Sequence, residues 1–152
     1  MAALVYVLDR VTKALAENRL QGREPVEIIP GVLQLRFTTN PGGAFGLFGE
    51  ASWLFVTISA VVIVVVIVAS MRLPSAITAV GLGLVLGGAV GNVTDRLIRG
   101  PGFSGEVVDF IDVHVWPVFN LADSGIVLGA AILLLSGLRR DRRQRSSAPA
   151  GP

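Results

Sequence analysis

The stretch ASWLFVTISAVVIVVVIVASM, from Ala51 to Met71, decides the fold class. It carries no charge over 21 residues, enough for one helical crossing of a bilayer. Its centre, Val61 to Val68, is β-branched at every position, which in water would favour a strand. At this length lipid reverses that preference: a lone strand leaves its backbone polar groups unpaired in hydrocarbon, whereas a helix pairs them internally. Apolar side chains all round the helix predict extensive lipid contact.

Two similar runs follow. Leu73 to Thr94 is uncharged over 22 residues, and Phe119 to Leu138 spans 20 with only Asp123 charged. The N-terminal stretch is less regular. Ala2 to Leu8 is apolar, then Asp9, Arg10 and Lys13 follow. Asp9 and Lys13 stand i, i+4, so on a helix they share a face and can pair. The prediction is an all-α polytopic membrane protein with four transmembrane helices, at about 2–20, 51–71, 73–98 and 119–138, in a single domain 1–138.

Composition agrees. Of 152 residues 52% are hydrophobic and 16% charged, with a mean hydropathy of +0.68, more apolar surface than a soluble domain of this size can hide. The absence of cysteine excludes disulfides and thiolate metal sites, and a lone histidine, His114, argues against a histidine-based metal site. Met1 to Leu8 is too short for the apolar region of a cleavable signal peptide, so none is expected. The basic run Arg139-Arg140-Asp141-Arg142-Arg143-Gln144-Arg145 directly follows an apolar helix. It marks the cytoplasmic side better than a nucleic-acid site, and no nucleic-acid partner is expected.

Four helices put both termini on one side, so the Arg-rich tail and Arg72 lie in the cytoplasm and segments 21–50 and 99–118 lie outside. In the first of these Val32, Leu33, Leu35 and Phe37 partly alternate between Pro and Gly punctuation, which predicts short strands and a small extracytoplasmic β-rich cradle. The basic tail 139–152 is expected to be disordered, its end being rich in Ser, Ala, Pro and Gly. Trp53 and Trp116, the latter beside His114, suit interfacial anchors.

Polar groups then gather at one depth. The third helix ends with Asn92, Asp95 and Arg96 at i, i+3, i+4; the outer loop holds Glu106, Asp109 and Asp112; the fourth helix opens with Asn120 and Asp123; the first outer segment holds Asn40. Exposing these to lipid is costly, so they should converge on a protected pocket near the outer interface. Two carboxylates held close share a proton, which is what aspartic hydrolysis needs: the ionised member takes a proton from water and the protonated one polarises the carbonyl. Residue types alone do not choose Asp109 over Asp95 or Asp112 as the partner of Asp123. Asp95 and Arg96 could simply cap the third helix, Asp123 could make a structural hydrogen bond, and a Ser–Lys arrangement stays open. Gly83, Gly87 and Gly91, spaced by four, form a small-residue face that lets another helix approach. A proton or ion relay in a small transporter is the rival class; it would want polar groups at mid-bilayer and internal repeats, and no clear repeat is present.

Five stretches, in order from Asp9 to about Gly129, resemble the bacterial lipoprotein signal peptidases (signal peptidase II). NPGGAFG is similar to the family's Asn-x-Gly-x-Ala-Phe-Gly, GNVTDR to Gly-Asn-x-x-Asp-Arg, and VVDF and FNLAD to the segments holding its two catalytic aspartates. Asp9 and Lys13 match an Asp-x-x-x-Lys pair in its first helix. The resemblance implies an aspartyl endopeptidase of the bacterial inner membrane that cuts prolipoproteins just before a diacylglyceryl-modified cysteine, without metal or other cofactor. It implies Asp109 and Asp123 as the dyad, with Asp9, Lys13, Asn40, Asn92, Asp95, Arg96, Asn120 and Ala122 shaping the pocket. The partners it implies are the diacylglyceryl-prolipoprotein, membrane lipid and a globomycin-type inhibitor, and a monomer is expected. The rival of the same chemistry is an intramembrane protease of another family acting on unlipidated helices. Two departures from the family pattern stand out. Only eight residues precede Asp9, so a short first helix is expected to anchor Asp9 and Lys13 poorly. The stretch RGPGFSGEVVDF is long, and Pro101, Gly102 and Gly105 suggest a flexible insertion at the outer surface, away from the chemistry.

Overall fold

The computed structural model describes residues 1–42, 52–72, 75–102 and 104–146. The element order is α1 (Ala2–Leu20), β1 (Val26–Ile29), β2 (Leu33–Asn40), α2 (Ser52–Ser70), α3 (Ala76–Ile98), β3 (Val107–Asp112) and α4 (Leu121–Ser146). Among the described residues three helices are long and apolar enough to cross a membrane, within Trp53–Ser70, Ala76–Ile98 and Leu121–Arg139. The fourth, α1, carries five charged residues along its length.

Helix α3 is the centre, and its glycines decide how closely its neighbours pack. A Cβ on Gly87 would stand 2.7 Å from Val5 Cβ, and one on Gly83 would stand 2.7 Å from Met1 Cβ. The expected Gly83–Gly87–Gly91 face is therefore where α1 lies. Gly81 and Gly88 receive α4, through Leu133 and through Ala122 and Ile126. Small residues allow this backbone approach, and in lipid close packing drives helix association. On the remaining side α2 packs through Val66 against Leu82 and Val85. Helix α3 starts at Ser75, whose hydroxyl accepts the Thr78 N–H at 3.2 Å, a cap of about 1 kcal/mol.

The strands form one antiparallel sheet in the order β1-β2-β3. The left-handed Gly31 (φ 71°) turns β1 into β2, where the Pro and Gly punctuation predicts a turn. The third strand was not expected. VVDFID is buried on both faces except at Ile111, so it lacks the alternation that reveals a half-exposed strand. It pairs with β2 in the register Thr38↔Asp109 and Asn40↔Val107, and the sheet sits on the C-terminal end of α1, where Ala16 and Leu20 meet Phe110.

Two expectations are corrected. The basic run was expected to be disordered from 139, yet α4 continues as helix to Ser146, consistent with the good helix propensity of Arg and Gln. The segment after α3 was expected to be a flexible insertion. Pro101 and Gly102 do face outward, but Gly105 is buried and its N–H donates to Arg96 O at 3.2 Å. A helix C-terminus leaves carbonyls without partners, and the turn at left-handed Gly102 (φ 63°) brings the chain back to supply one. The expectations for 43–51, for the start of the third helix at 73–74, for 103 and for 147–152 lie outside the described residues.

Candidate active site

The site is built on the contact between α1 and α3. Lys13 Nζ stands 2.9 Å from Asp9 Oδ2, 2.9 Å from Asp95 Oδ2 and 2.9 Å from Asn92 Oδ1, and Asp9, Lys13 and Asp95 are all fully buried. A short first helix was expected to anchor Asp9 and Lys13 poorly; instead Asp9 packs against Gly91 of α3, and Lys13 is held by Asp9, Asp95 and Asn92. The spacing i, i+4 sets Asp9 and Lys13 on one face of α1, as the sequence indicates. Asp9 Oδ1 also accepts the Ala122 N–H at 3.0 Å, tying α1 to the first turn of α4. Ala122 thus contributes its backbone, and its methyl group is buried.

Asp95 collects further donors. Its Oδ1 accepts from Arg10 Nη1 and, at 3.1 Å, from Arg99 Nε, while Oδ2 accepts the Val108 N–H at 3.4 Å. Arg99 then clasps Glu17 with both terminal nitrogens, at 3.0 and 2.9 Å. Sequence reasoning missed Arg10, Glu17 and Arg99. The signal was present in spacing, since Glu17 lies four residues after Lys13 and Arg99 four after Asp95. A buried carboxylate without such partners would be strongly destabilising.

One face of this cluster opens on two aspartates. Asp109, in β3 and 2% exposed, accepts Asn120 Nδ2 on Oδ1 at 2.6 Å and Asn40 Nδ2 on Oδ2 at 3.3 Å. Asn40 is oriented by the Gly42 N–H, which donates to its Oδ1 at 3.1 Å. Asp123, half-buried, accepts Asn92 Nδ2 on Oδ1 at 2.7 Å and the Asn120 N–H on Oδ2 at 3.4 Å. Asn120 Oδ1 in turn accepts the Asp123 N–H at 2.9 Å. This reciprocal pair is a capping box, with Asn120 as N-cap of α4 and Asp123 three residues on. It explains how an aspartate begins an apolar helix, and NLAD carries the signature in sequence. Burial, and next the charge of Asp123, push the Asp109 carboxyl up to about 7. One carboxyl that holds its proton near neutrality beside a second carboxylate is the arrangement acid–base hydrolysis requires.

Arg96 is buried, with its guanidinium 5.5 Å from the Phe55 ring centroid and its charge within reach of Asp109, Asp123 and Asp95. Its Nε has no hydrogen-bond partner among the described residues. The alternatives left open by residue type separate here. Asp112 belongs to the sheet: it accepts Gln34 Nε2 at 2.8 Å, Arg36 Nε at 2.6 Å and the His114 N–H at 2.8 Å. These bonds, Gln34 first and then Arg36, hold its carboxyl well below the usual carboxylate range. Ser124 Oγ donates to Asn120 O at 3.0 Å and Lys13 is committed to Asp9, Asp95 and Asn92, so no Ser–Lys pair forms between them. Among the described residues no three His, Asp or Glu side chains converge to hold a metal ion.

Comparison with known proteins points the same way. Residues 1–139 match the family model described as signal peptidase (SPase) II. A lipoprotein signal peptidase of Rhodococcus jostii is 44% identical over 145 residues, covering 93% of this chain and 73% of that protein. One from Desulfitobacterium hafniense is 39% identical, covering 95% and 94%. A solved bacterial membrane enzyme superimposes with a TM-score of 0.83 at 25% identity, over 99% of this chain and 91% of the other. A second gives 0.75 at 28%, over 90% and 89%.

Proposed function

The chain belongs to the signal peptidase II family, and we propose that Asp109 and Asp123 are the aspartates through which it works. It is a multi-pass membrane protein and an aspartic endopeptidase, and it removes signal peptides from prolipoproteins. The observation that carries the dyad reading is Asn120, whose side chain donates to Asp109 and whose backbone N–H donates to Asp123.

The chemistry closes without another group. As water bonds to the scissile carbonyl carbon, one carboxylate takes a water proton and the other carboxyl gives its proton to the carbonyl oxygen. When the C–N bond breaks, the nitrogen leaves with the proton taken from water, and a hydroxyl of the diol returns a proton to the second carboxylate. One shared proton is again on the pair.

The substrate is a prolipoprotein whose cysteine carries diacylglycerol, cut just before that cysteine. An apolar surface beside the sheet supports a lipid-level substrate: Val26, Ile28, Ile29 and Val32 face outward, as do Val115 and Trp116 beyond β3. Helix α1 is the fourth span of the single domain 1–138, both termini are cytoplasmic, and the dyad lies near the outer face of the inner membrane. Arg72 and Arg139–Arg145 support this orientation, because they fall at the opposite end of the helices from the dyad. The enzyme acts as a monomer and is blocked by globomycin-type peptides.

The test is cleavage of a purified diacylglyceryl-prolipoprotein by the native chain, Asp109→Asn and Asp123→Asn. Loss of at least about a thousandfold in both folded variants supports the dyad. Near-native cleavage by either one removes that residue from the chemistry. Equal cleavage of unlipidated precursor would overturn the substrate reading.

A further inference from the structure

Asn92 stands between a cation and a carboxylate. Its Oδ1 accepts Lys13 Nζ at 2.9 Å and Asn120 Nδ2 at 3.3 Å, and its Nδ2 donates to Asp123 Oδ1 at 2.7 Å. With donors on one side and a carboxylate on the other, the amide has a single satisfying orientation. Lys13 cannot turn away, being fully buried and held by Asp9 and Asp95. The charges behind it balance, with Asp9, Glu17 and Asp95 against Arg10, Lys13 and Arg99. Among the described residues that leaves Arg96 as the cation whose charge acts directly on Asp109 and Asp123, which suits one negative charge and one proton on the pair.

We propose that Lys13, acting through the Asn92 amide, sets the polarity of the dyad: Asp123 carries the charge and takes the proton from water, and Asp109 carries the proton and gives it to the scissile carbonyl oxygen. This rests on the dyad reading above. Asp123 sits at the N-terminal turn of α4, where the helix dipole favours an anion, and receives two N–H donors. Asp109 lies on a strand, 2% exposed, with its ionisation opposed by burial. Among the described residues the charged groups acting on the pair are Arg96 from α3 and, one amide removed, Lys13 from α1; Asp95, Asp9, Arg10 and Arg99 lie behind Lys13. Lys13 is a positioning residue, since it is fully buried and reaches Asp123 only through the Asn92 amide.

The test compares native enzyme with Lys13→Met on the diacylglyceryl-prolipoprotein across pH. The expected result is kcat lower by about tenfold to a hundredfold, KM within about twofold, and the acid limb of the pH–rate profile moved up by about one unit. A merely structural lysine would lower the folded fraction and leave the limb in place, which would overturn the proposal. Because Lys13→Met strands two buried carboxylates, Asp9→Asn/Lys13→Met, which keeps the cluster neutral, serves if the single variant does not fold. Infrared spectra near pH 6 decide the proton's position independently of activity. The protonated-carboxyl band should vanish in Asp109→Asn and persist in Asp123→Asn; the reverse pattern would overturn the assignment. If both asparagine variants still cut substrate, the dyad itself fails; if both are dead and the limb does not move in Lys13→Met, only the role of Lys13 fails.

Discussion

Asp9 lies directly against Gly91: a Cβ at position 91 would stand 2.5 Å from Asp9 Oδ2. The side chain that orders the first turn of α4 therefore depends on the absence of a methyl group one helix away. Gly91→Ala should cost about 1–3 kcal/mol, as overpacking of a tight interior does, and should lower activity by pulling Asp9 from Ala122. Thermal unfolding in detergent, beside a cleavage assay, checks this. A Cβ added at Gly137 would meet nothing within 4 Å, so Gly137→Ala is the control expected to leave both unchanged.

Asn120 serves both aspartates, so its loss should weigh on rate more than on stability. Asn120→Ala removes the cap of α4, about 1 kcal/mol, and the amide donated to Asp109. A kcat about a hundredfold lower with little change in KM is the expected result. Asn120→Asp should retain the cap and still lose activity, because it places a third carboxylate beside the pair. Steady-state kinetics on the two variants separates capping from catalysis.

The pH dependence of Asp109 has a definite sign. Its carboxyl is raised to about 7, so it favours the folded state most below the unfolded value, about 4, and that contribution fades as pH rises through 7. Cleavage should decline above about pH 7 as the shared proton is lost. In Asp109→Asn the unfolding temperature should become less sensitive to pH over the same window. A native profile that stays flat to pH 9 would contradict the assignment of the proton to a buried aspartate.

Asp112 behaves in the opposite sense. Gln34 and Arg36 hold its carboxyl low, so its contribution is present above about pH 4 and is lost as pH falls below that. Arg36 is 40% exposed at its side chain, so solvent screens the pair, and Asp112→Ala should cost about 1 kcal/mol. Since Asp112 fixes the end of β3 three residues beyond Asp109, the variant should also slow cleavage. Unfolding of the variant should be less pH-dependent below pH 4 than that of the native protein.

Much of this arrangement could be read from residues alone, because membrane helices announce themselves by length and because buried charge is costly enough to be conspicuous. A close helix contact on α3 was visible in Gly83, Gly87 and Gly91, though not that α1 makes it, and the Asp9–Lys13 pair was visible in its spacing. β3 was hidden: Val107 to Asp112 is buried on nearly all sides, so no alternation betrays it, and its pairing partner β2 lies two helices back along the chain. For the same reason the choice of Asp109 over Asp112 could not follow from composition. The two differ only in what stands opposite them, Asn40 and Asn120 in one case, Gln34 and Arg36 in the other. Arg10 was overlooked because its partner Asp95 lies on another helix, whereas Arg99 had a local signal in its i, i+4 spacing from Asp95.

The distribution of the site along the chain has a consequence for biosynthesis. Asp109 and Asp123 are oriented by amides from β2, α3 and the start of α4, and Asp123 belongs to α4, which is made after α1, α2 and α3. A nascent chain with only α1 to α3 in place lacks Asp123 and also Asn120, whose amide donates to Asp109. On the dyad proposed above, a chain still being inserted cannot cut until α4 docks on Gly81 and Gly88, so synthesis itself delays the activity.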